Sequence, residues 1–423
     1  MATIGILLIF IIGYIAIAFE HVVQLNKAAT ALITGVLCWT IYITQHNDVA
    51  FVSAALLHHI GEIASILFFL LGAMTIVELI DSHNGFDIIS QKISTNSVSK
   101  FLLTITVISF FLSAFLDNLT TAIVMTSLCS KILGEKQHKL WFSGMIIMAA
   151  NAGGAWSPLG DVTTTMLWIG GQITALNIIK QLFFPSLFAC IIPALLIANI
   201  FKGKKFIAIP TVTKTYKEQT EGQIILFTGI GFLLFVPLFK SITHLPPFMG
   251  MLLALGFMWV ITTIIHKKKD VEIAEKYSVA TALQKIDTPS ILFFLGILLA
   301  VGALQATGFL KELSSFLTNT LHNDYAIGIA LGLLSALVDN VPLVAATQGM
   351  FDMATYPTDH AFWEFLALTT GTGGSAIIIG SAAGVAVMGI ENISFMWYLK
   401  KITWLALLGF FAGILIFWVQ TII

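Results

Sequence analysis

The chain has 423 residues, 57% of them hydrophobic and 10% charged, and its mean hydropathy of +0.94 means more apolar surface than a water-soluble domain could cover. It reads as a membrane protein, with the lipid bilayer as its first partner. The 21 basic residues, all lysine, against 22 acidic ones leave a net charge of −1; the absence of arginine disfavours a nucleic-acid partner and any site that grips an anion with guanidinium forks.

A bilayer core needs about 20 apolar residues per helix. In chain order, such runs predict spans near 2–19, 28–44, 58–80, 140–168, 177–201, 222–239, 247–265, 289–307, 362–390 and 399–422. No basic residue precedes the first run, so Ala16-Ile17-Ala18 does not read as the cleavage site of a removable signal. Two further stretches, 101–134 and 324–352, are too long for one crossing and carry a polar break, Asp117-Asn118 and Asp339-Asn340. Each reads as a re-entrant hairpin, because non-helical backbone survives at membrane depth only where protein or a watery cavity satisfies it. Cys38, Cys129 and Cys190 lie inside apolar runs without metal-ligand spacing and read as packing residues. With both termini outside, 18 of the 21 lysines, Lys92 among them, fall on the inner face and only Lys180, Lys240 and Lys311 on the outer, as cytoplasmic loops require. The loops 202–221 and 266–288 mix lysines with glutamates and read as solvated linkers, the first joining two halves.

Those halves, 1–201 and 222–423, resemble each other. SILFFL at Ser65–Leu70 recurs 225 positions later at Ser290–Leu295, and Gly85-Phe86 recurs at Gly308-Phe309. SAFLDN at Ser113–Asn118 returns as SALVDN at Ser335–Asn340, 222 positions on, and Asn151-Ala152-Gly153-Gly154 as Gly371-Thr372-Gly373-Gly374, 220 on. Four collinear matches that include polar residues inside apolar segments point to duplication. Five spans and one hairpin per half is an odd number of crossings, so the second half is inverted. The expected fold is therefore an all-α polytopic membrane protein of two inverted-topology repeats, with broken helices at 140–168 and 362–390 and a site at the midplane between them.

A carboxylate at membrane depth is unfavourable and needs an explanation. Asp117 and Asp339 sit at the hairpin turns, in LDNLTTA and VDNVPLVAA, where helix capping is the plain alternative. Opposite them stand two glycine-rich breaks, NAGGAWSPLGD ending at Asp161 and GTGGSAIIIG from Gly371 to Gly380. Paired glycines, with Pro158 in the first break, permit unwinding that turns carbonyls towards a ligand. Asp117, Asp161 and Asp339, with Asn118, Thr120, Thr121, Asn151, Gly153, Gly154, Ser157, Asn340, Thr372, Gly373 and Ser375, then form an oxygen-rich cage suited to Na⁺. Three aspartates with no lysine or arginine beside them repel an anion and favour a cation. A buried carboxylate that holds either H⁺ or Na⁺, but not both, is enough to couple opposite fluxes. His58, His59 and Glu62 near the outer end of the third span are candidates for proton relay or pH sensing, with Glu78 at its inner end. Glu364 reads as interfacial. No enzyme chemistry and no cofactor are expected; an intramembrane aspartyl protease would need a glycine where Pro158 stands.

The segments Phe68–Asp81, Leu116–Met125, Asn151–Trp168, Val338–Ala346 and Gly371–Ala386 make the chain resemble the NhaD-type sodium/proton antiporters of the ion transporter superfamily. The resemblance covers nearly the whole chain. It implies an exchanger of Na⁺ or Li⁺ for H⁺ in a bacterial inner membrane and a homodimer, in which the lysine distribution makes both termini periplasmic. Wider relatives carry dicarboxylates, citrate or arsenite, and in dicarboxylate carriers the hairpin tips read Ser-Asn-Thr. Here aspartate precedes Asn118 and Asn340, which disfavours the alternative of a Na⁺-coupled carrier of a small anion.

Overall fold

The computed structural model describes residues 2–18, 20, 24–45, 48–86, 95–206, 216–267 and 269–422. The first half contains α1 (Ala2–Ala18), α2 (Lys27–Thr44), α3 (Val49–Ser82), α4 (Val98–Leu116), α5 (Asn118–Ile132), α6 (Lys136–Ala155), α7 (Val162–Ile169) and α8 (Ala175–Ile200). The second contains α9 (Tyr216–Thr243), α10 (Pro247–His266), α11 (Val271–Lys276), α12 (Val279–Lys285), α13 (Thr288–Ala306), α14 (Phe309–Leu321) and α15 (Asp324–Leu334). It ends with α16 (Asn340–Met350), α17 (Ala361–Gly373), α18 (Ala382–Glu391), α19 (Phe395–Lys401) and α20 (Thr403–Ile422).

Eight of these helices are long and apolar enough to cross a bilayer, and α18 with α19, bent by 115°, makes up to nine. Such a helix satisfies all its backbone groups internally, the condition for lying in hydrocarbon. The apolar faces left exposed, with Leu8, Phe227, Trp259 and Leu415 among them, are what a lipid-solvated protein presents. Packing comes in paired contacts: α4 on α6 and α15 on α17, α5 on α18 and α16 on α7, α3 on α10 and α13 on α2. Within each pair of contacts the helices correspond in order, α4 with α15 and α5 with α16, for example, starting 226 and 222 positions apart.

Several boundaries differ from the hydropathy reading. The span expected at 58–80 is longer, Val49–Ser82. The stretches 140–168 and 362–390 are each divided, at 156–161 and 374–381. The loop 266–288, expected as a linker, holds α11 and α12, and α14, too polar on one face for a span scan, follows α13. The linker expected at 202–221 ends earlier, since α9 starts at Tyr216; residues 207–215 within it, and Lys92, lie outside the described residues.

One polar contact joins α3 to α10. His83 Nδ1 lies 2.6 Å from the carbonyl oxygen of Leu79, so it donates, and His83 Nε2 lies 2.8 Å from His266 Nε2. In the neutral pair His266 Nε2–H is therefore the donor, which leaves His266 Nδ1 buried without a partner among the described residues. Tyr277 stacks on the His266 ring, with centroids 5.4 Å apart.

Candidate functional site

Each break carries a residue that turns the chain and starts the next helix. Asp117 alone separates α4 from α5, at φ 74° and ψ 159°, a backbone region close to glycine-only that costs a non-glycine residue about 1–3 kcal/mol. Its carboxylate accepts from Thr120 N at 2.8 Å and from Thr120 Oγ1 at 2.9 Å. Asp339, in an unstrained conformation, accepts from Val341 N at 3.3 Å. Asp161 caps α7 through Thr163 N at 3.0 Å, and Ser381 caps α18 through Gly384 N at 3.2 Å. The glycines ahead of the breaks allow close backbone approach: a Cβ at Gly153 would stand 2.2 Å from the Phe110 oxygen, and one at Gly373 2.1 Å from the Gly332 oxygen.

These turns bring six side chains into one hydrogen-bonded network. Asp161 Oδ2 accepts from Asn118 Nδ2 at 2.8 Å and from Asn340 Nδ2 at 3.3 Å, so the residues after both hairpin aspartates reach the same oxygen. Asn118 Nδ2 also donates to Asn151 Oδ1 at 3.0 Å. Asn151 Nδ2 in turn donates to Ser375 Oγ at 2.9 Å and Ser381 Oγ at 3.0 Å. Asp161 is 1% exposed, and among the described residues no lysine bonds to it. Neutral amides stabilise a carboxylate, but an ion so fully removed from water is far less costly with a proton or a metal cation beside it.

The remaining candidates are placed differently. Asp117 faces a space of about 20 Å³ walled by Leu70, Met74, Leu233 and Met251. Asp339 opens into a separate cavity of about 50 Å³. Thr120 is bound to Asp117, while Thr121 Oγ1 is buried without a partner among the described residues. Ser157 and Thr372 are not turned to the site: their hydroxyls donate to Ala114 O and Leu368 O, each at 2.6 Å. Gly154 serves contact with Gly160, whose oxygen lies 2.4 Å from where a Cβ would be. His58 and His59 approach Glu62 at 3.4 and 3.5 Å, and His59 and Glu62 line a vestibule of about 480 Å³ away from Asp161. Glu78 accepts from Ser82 at 2.8 Å and faces Lys285 at 3.4 Å. Glu364, expected at the interface, is buried and accepts from Asn177 Nδ2 at 2.7 Å. Ser381 was missed by residue-type reasoning; carrying Asp161 forward by the offset of 220 would have found it.

Comparison with known proteins adds the family. The citrate transporter family, CitMHS, matches residues 7–373. Sodium/proton antiporter 1 of Arabidopsis thaliana is 44% identical over 409 residues, covering 96% of this chain and 70% of the relative. The Na⁺/H⁺ antiporter NhaD of Vibrio cholerae is 32% identical over 444 residues, with 97% and 90% covered. The crystal structure of the YdaH transporter of Alcanivorax borkumensis superposes with a TM-score of 0.58 at 11% identity, over 93% of this chain and 96% of that one, a likeness of fold.

Proposed function

The chain belongs to the citrate transporter family and to its NhaD-type Na⁺/H⁺ antiporters, and from that membership we propose that it exchanges Na⁺ for H⁺ by alternating access, with both ions competing for Asp161. The observation that carries this reading is a carboxylate 1% exposed that receives one amide from each hairpin. Protonated, it is neutral and its amide neighbours remain satisfied. Ionised, it needs a cation; rotation of Asn118 and Asn340 exchanges their Nδ2 donors for Oδ1 acceptors and completes an oxygen shell. Asn151, Ser375 and Ser381 add further oxygens. Asp117 and Asp339 flank the site as the carboxylates an ion meets on entry or exit. One occupant at a time is the whole coupling device.

Li⁺ is the second cation expected, since the ligands are hard oxygens. The halves 1–201 and 222–423 are read as inverted repeats, so rocking of one against the other exposes Asp161 to alternate sides. The lysine-rich face is read as cytoplasmic, with both termini periplasmic, in an inner membrane and as a homodimer. The family's citrate description favours a second reading, a Na⁺-coupled anion carrier, but a citrate trianion beside Asp161 would find no ammonium or guanidinium among the described residues of the site.

The test is cation-evoked alkalinisation of everted vesicles with Na⁺, Li⁺ or K⁺, with and without citrate or a dicarboxylate. Exchange with Na⁺ and Li⁺ that needs no added anion is expected, and Asp161→Asn should abolish it while the protein still inserts. Strict dependence on the anion would replace this reading by the second.

A further inference from the structure

Asp339 and Ser381 share the cavity of about 50 Å³ with Tyr14 and Ile17 of α1, with Glu20 beyond its end, and with Lys27 at the start of α2. One wall thus belongs to the ion site itself, because Ser381 Oγ accepts from Asn151. The other end lies where α1 gives way to α2, on the face that carries most of the lysines. Glu20 Oε1 accepts from Lys27 N at 3.2 Å, while the Lys27 ammonium stands over the Phe293 ring, 4.9 Å from its centroid. That placement sets the ammonium against an aromatic face at one end of the cavity, whose acidic lining residues are Glu20 and Asp339. Along the wall, Tyr14 Oη is buried and makes no hydrogen bond among the described residues. A buried hydroxyl without a protein partner is unfavourable unless a water or an ion meets it, and a space of this size admits at least one such particle.

The vestibule on the other side shares no lining residue with the Asp161 network. Its walls include His59, Glu62, Gln305 and Met166, and Gln348 is held in the wall by donating Nε2 to Met166 O at 3.2 Å and Gln172 Oε1 at 2.9 Å.

We propose that the α1–α2 cavity is the passage between the Asp161 site and the lysine-rich face, that Glu20 marks its mouth, and that Tyr14 Oη is the oxygen that meets Na⁺ or its last water on the way. The passage rests on the exchange reading above, and one preparation tests them separately. Cys38, Cys129 and Cys190 are buried, so Ile17→Cys, with Val385→Cys as a second handle, introduces the accessible thiol of the full-length protein. A membrane-impermeant cationic thiosulfonate should block Na⁺/H⁺ exchange when added to the lysine-rich face and not from the other, and Na⁺ should slow the block. Tyr14→Phe, which keeps the ring, should raise the Na⁺ KM about fivefold with kcat unchanged within about twofold. Complete modification of both thiols without loss of exchange, or no modification from that face, overturns the passage. A wild-type KM in Tyr14→Phe overturns the hydroxyl's part in it. Unmodified wild-type vesicles run in parallel report on exchange itself: if they fail, the Asp161 reading fails, whatever the thiols do.

Discussion

A methyl group at Gly153 has nowhere to go, since the Phe110 oxygen would lie 2.2 Å away and backbone cannot yield as the tip of a side chain does. Gly153→Ala is expected to lower stability by about 1–3 kcal/mol through overpacking, read as a lower Tm in detergent. Gly134→Ala is the control, because a Cβ there meets nothing within 4 Å, and it should leave Tm unchanged. Asp117 combines two roles that substitution can part. Asparagine still accepts from Thr120 N and tolerates positive φ, so Asp117→Asn should keep Tm within a few degrees while exchange falls on the order of tenfold if charge on the route matters. Full activity in that variant would confine Asp117 to capping. These residues drew attention in the sequence through their recurrence at a fixed offset. Phe110, whose carbonyl meets Gly153, did not, because a carbonyl that blocks a methyl group leaves no trace in residue type.

Helix ends carry the titration that stability should report. His83 sits just beyond the C-terminal end of α3, and burial holds its imidazole below the ordinary histidine range. The folded protein therefore binds fewer protons here than the unfolded chain. The contribution is fully present above the ordinary imidazole value of about 6.5 and is lost as pH falls below it towards the lowered folded value. Protonation would also set two N–H groups face to face where His266 now donates to His83. Tm measured from pH 7.5 down to 5.5 should fall more steeply in wild type than in His83→Gln; parallel slopes would show that the pair does not titrate with unfolding. At this scale hydropathy read the long helices well and the short ones poorly. α14 buries only Leu310, and α11 and α12 are too short to show a period, so nothing apolar and continuous announced them.

The competition proposed between one proton and one Na⁺ on one carboxylate would be a property of the whole molecule, and it has a numerical signature. While the carboxyl is mostly protonated, each unit rise in pH should lower the apparent Na⁺ KM about tenfold and leave the maximal rate unchanged. A slope on the order of a hundredfold would mean that a second carboxylate gives up its proton with the first, and a flat KM would deny competition. The sequence by itself determined that this chain lives in a membrane, where its long apolar segments break and which residue types gather at the breaks, because hydrocarbon penalises each unsatisfied backbone group and each charge segment by segment. It did not determine which segments cross, since Val98–Leu116, read as one arm of a hairpin, is a helix long and apolar enough to span. Only the tertiary structure decided that Asp161, rather than the three aspartates equally, lies at the centre, that Ser157 and Thr372 turn away, and that Ser381 joins Asn151. Those choices belong to helices far apart in sequence, and a side chain's partner is fixed by how such helices pack, which no local pattern of residues records.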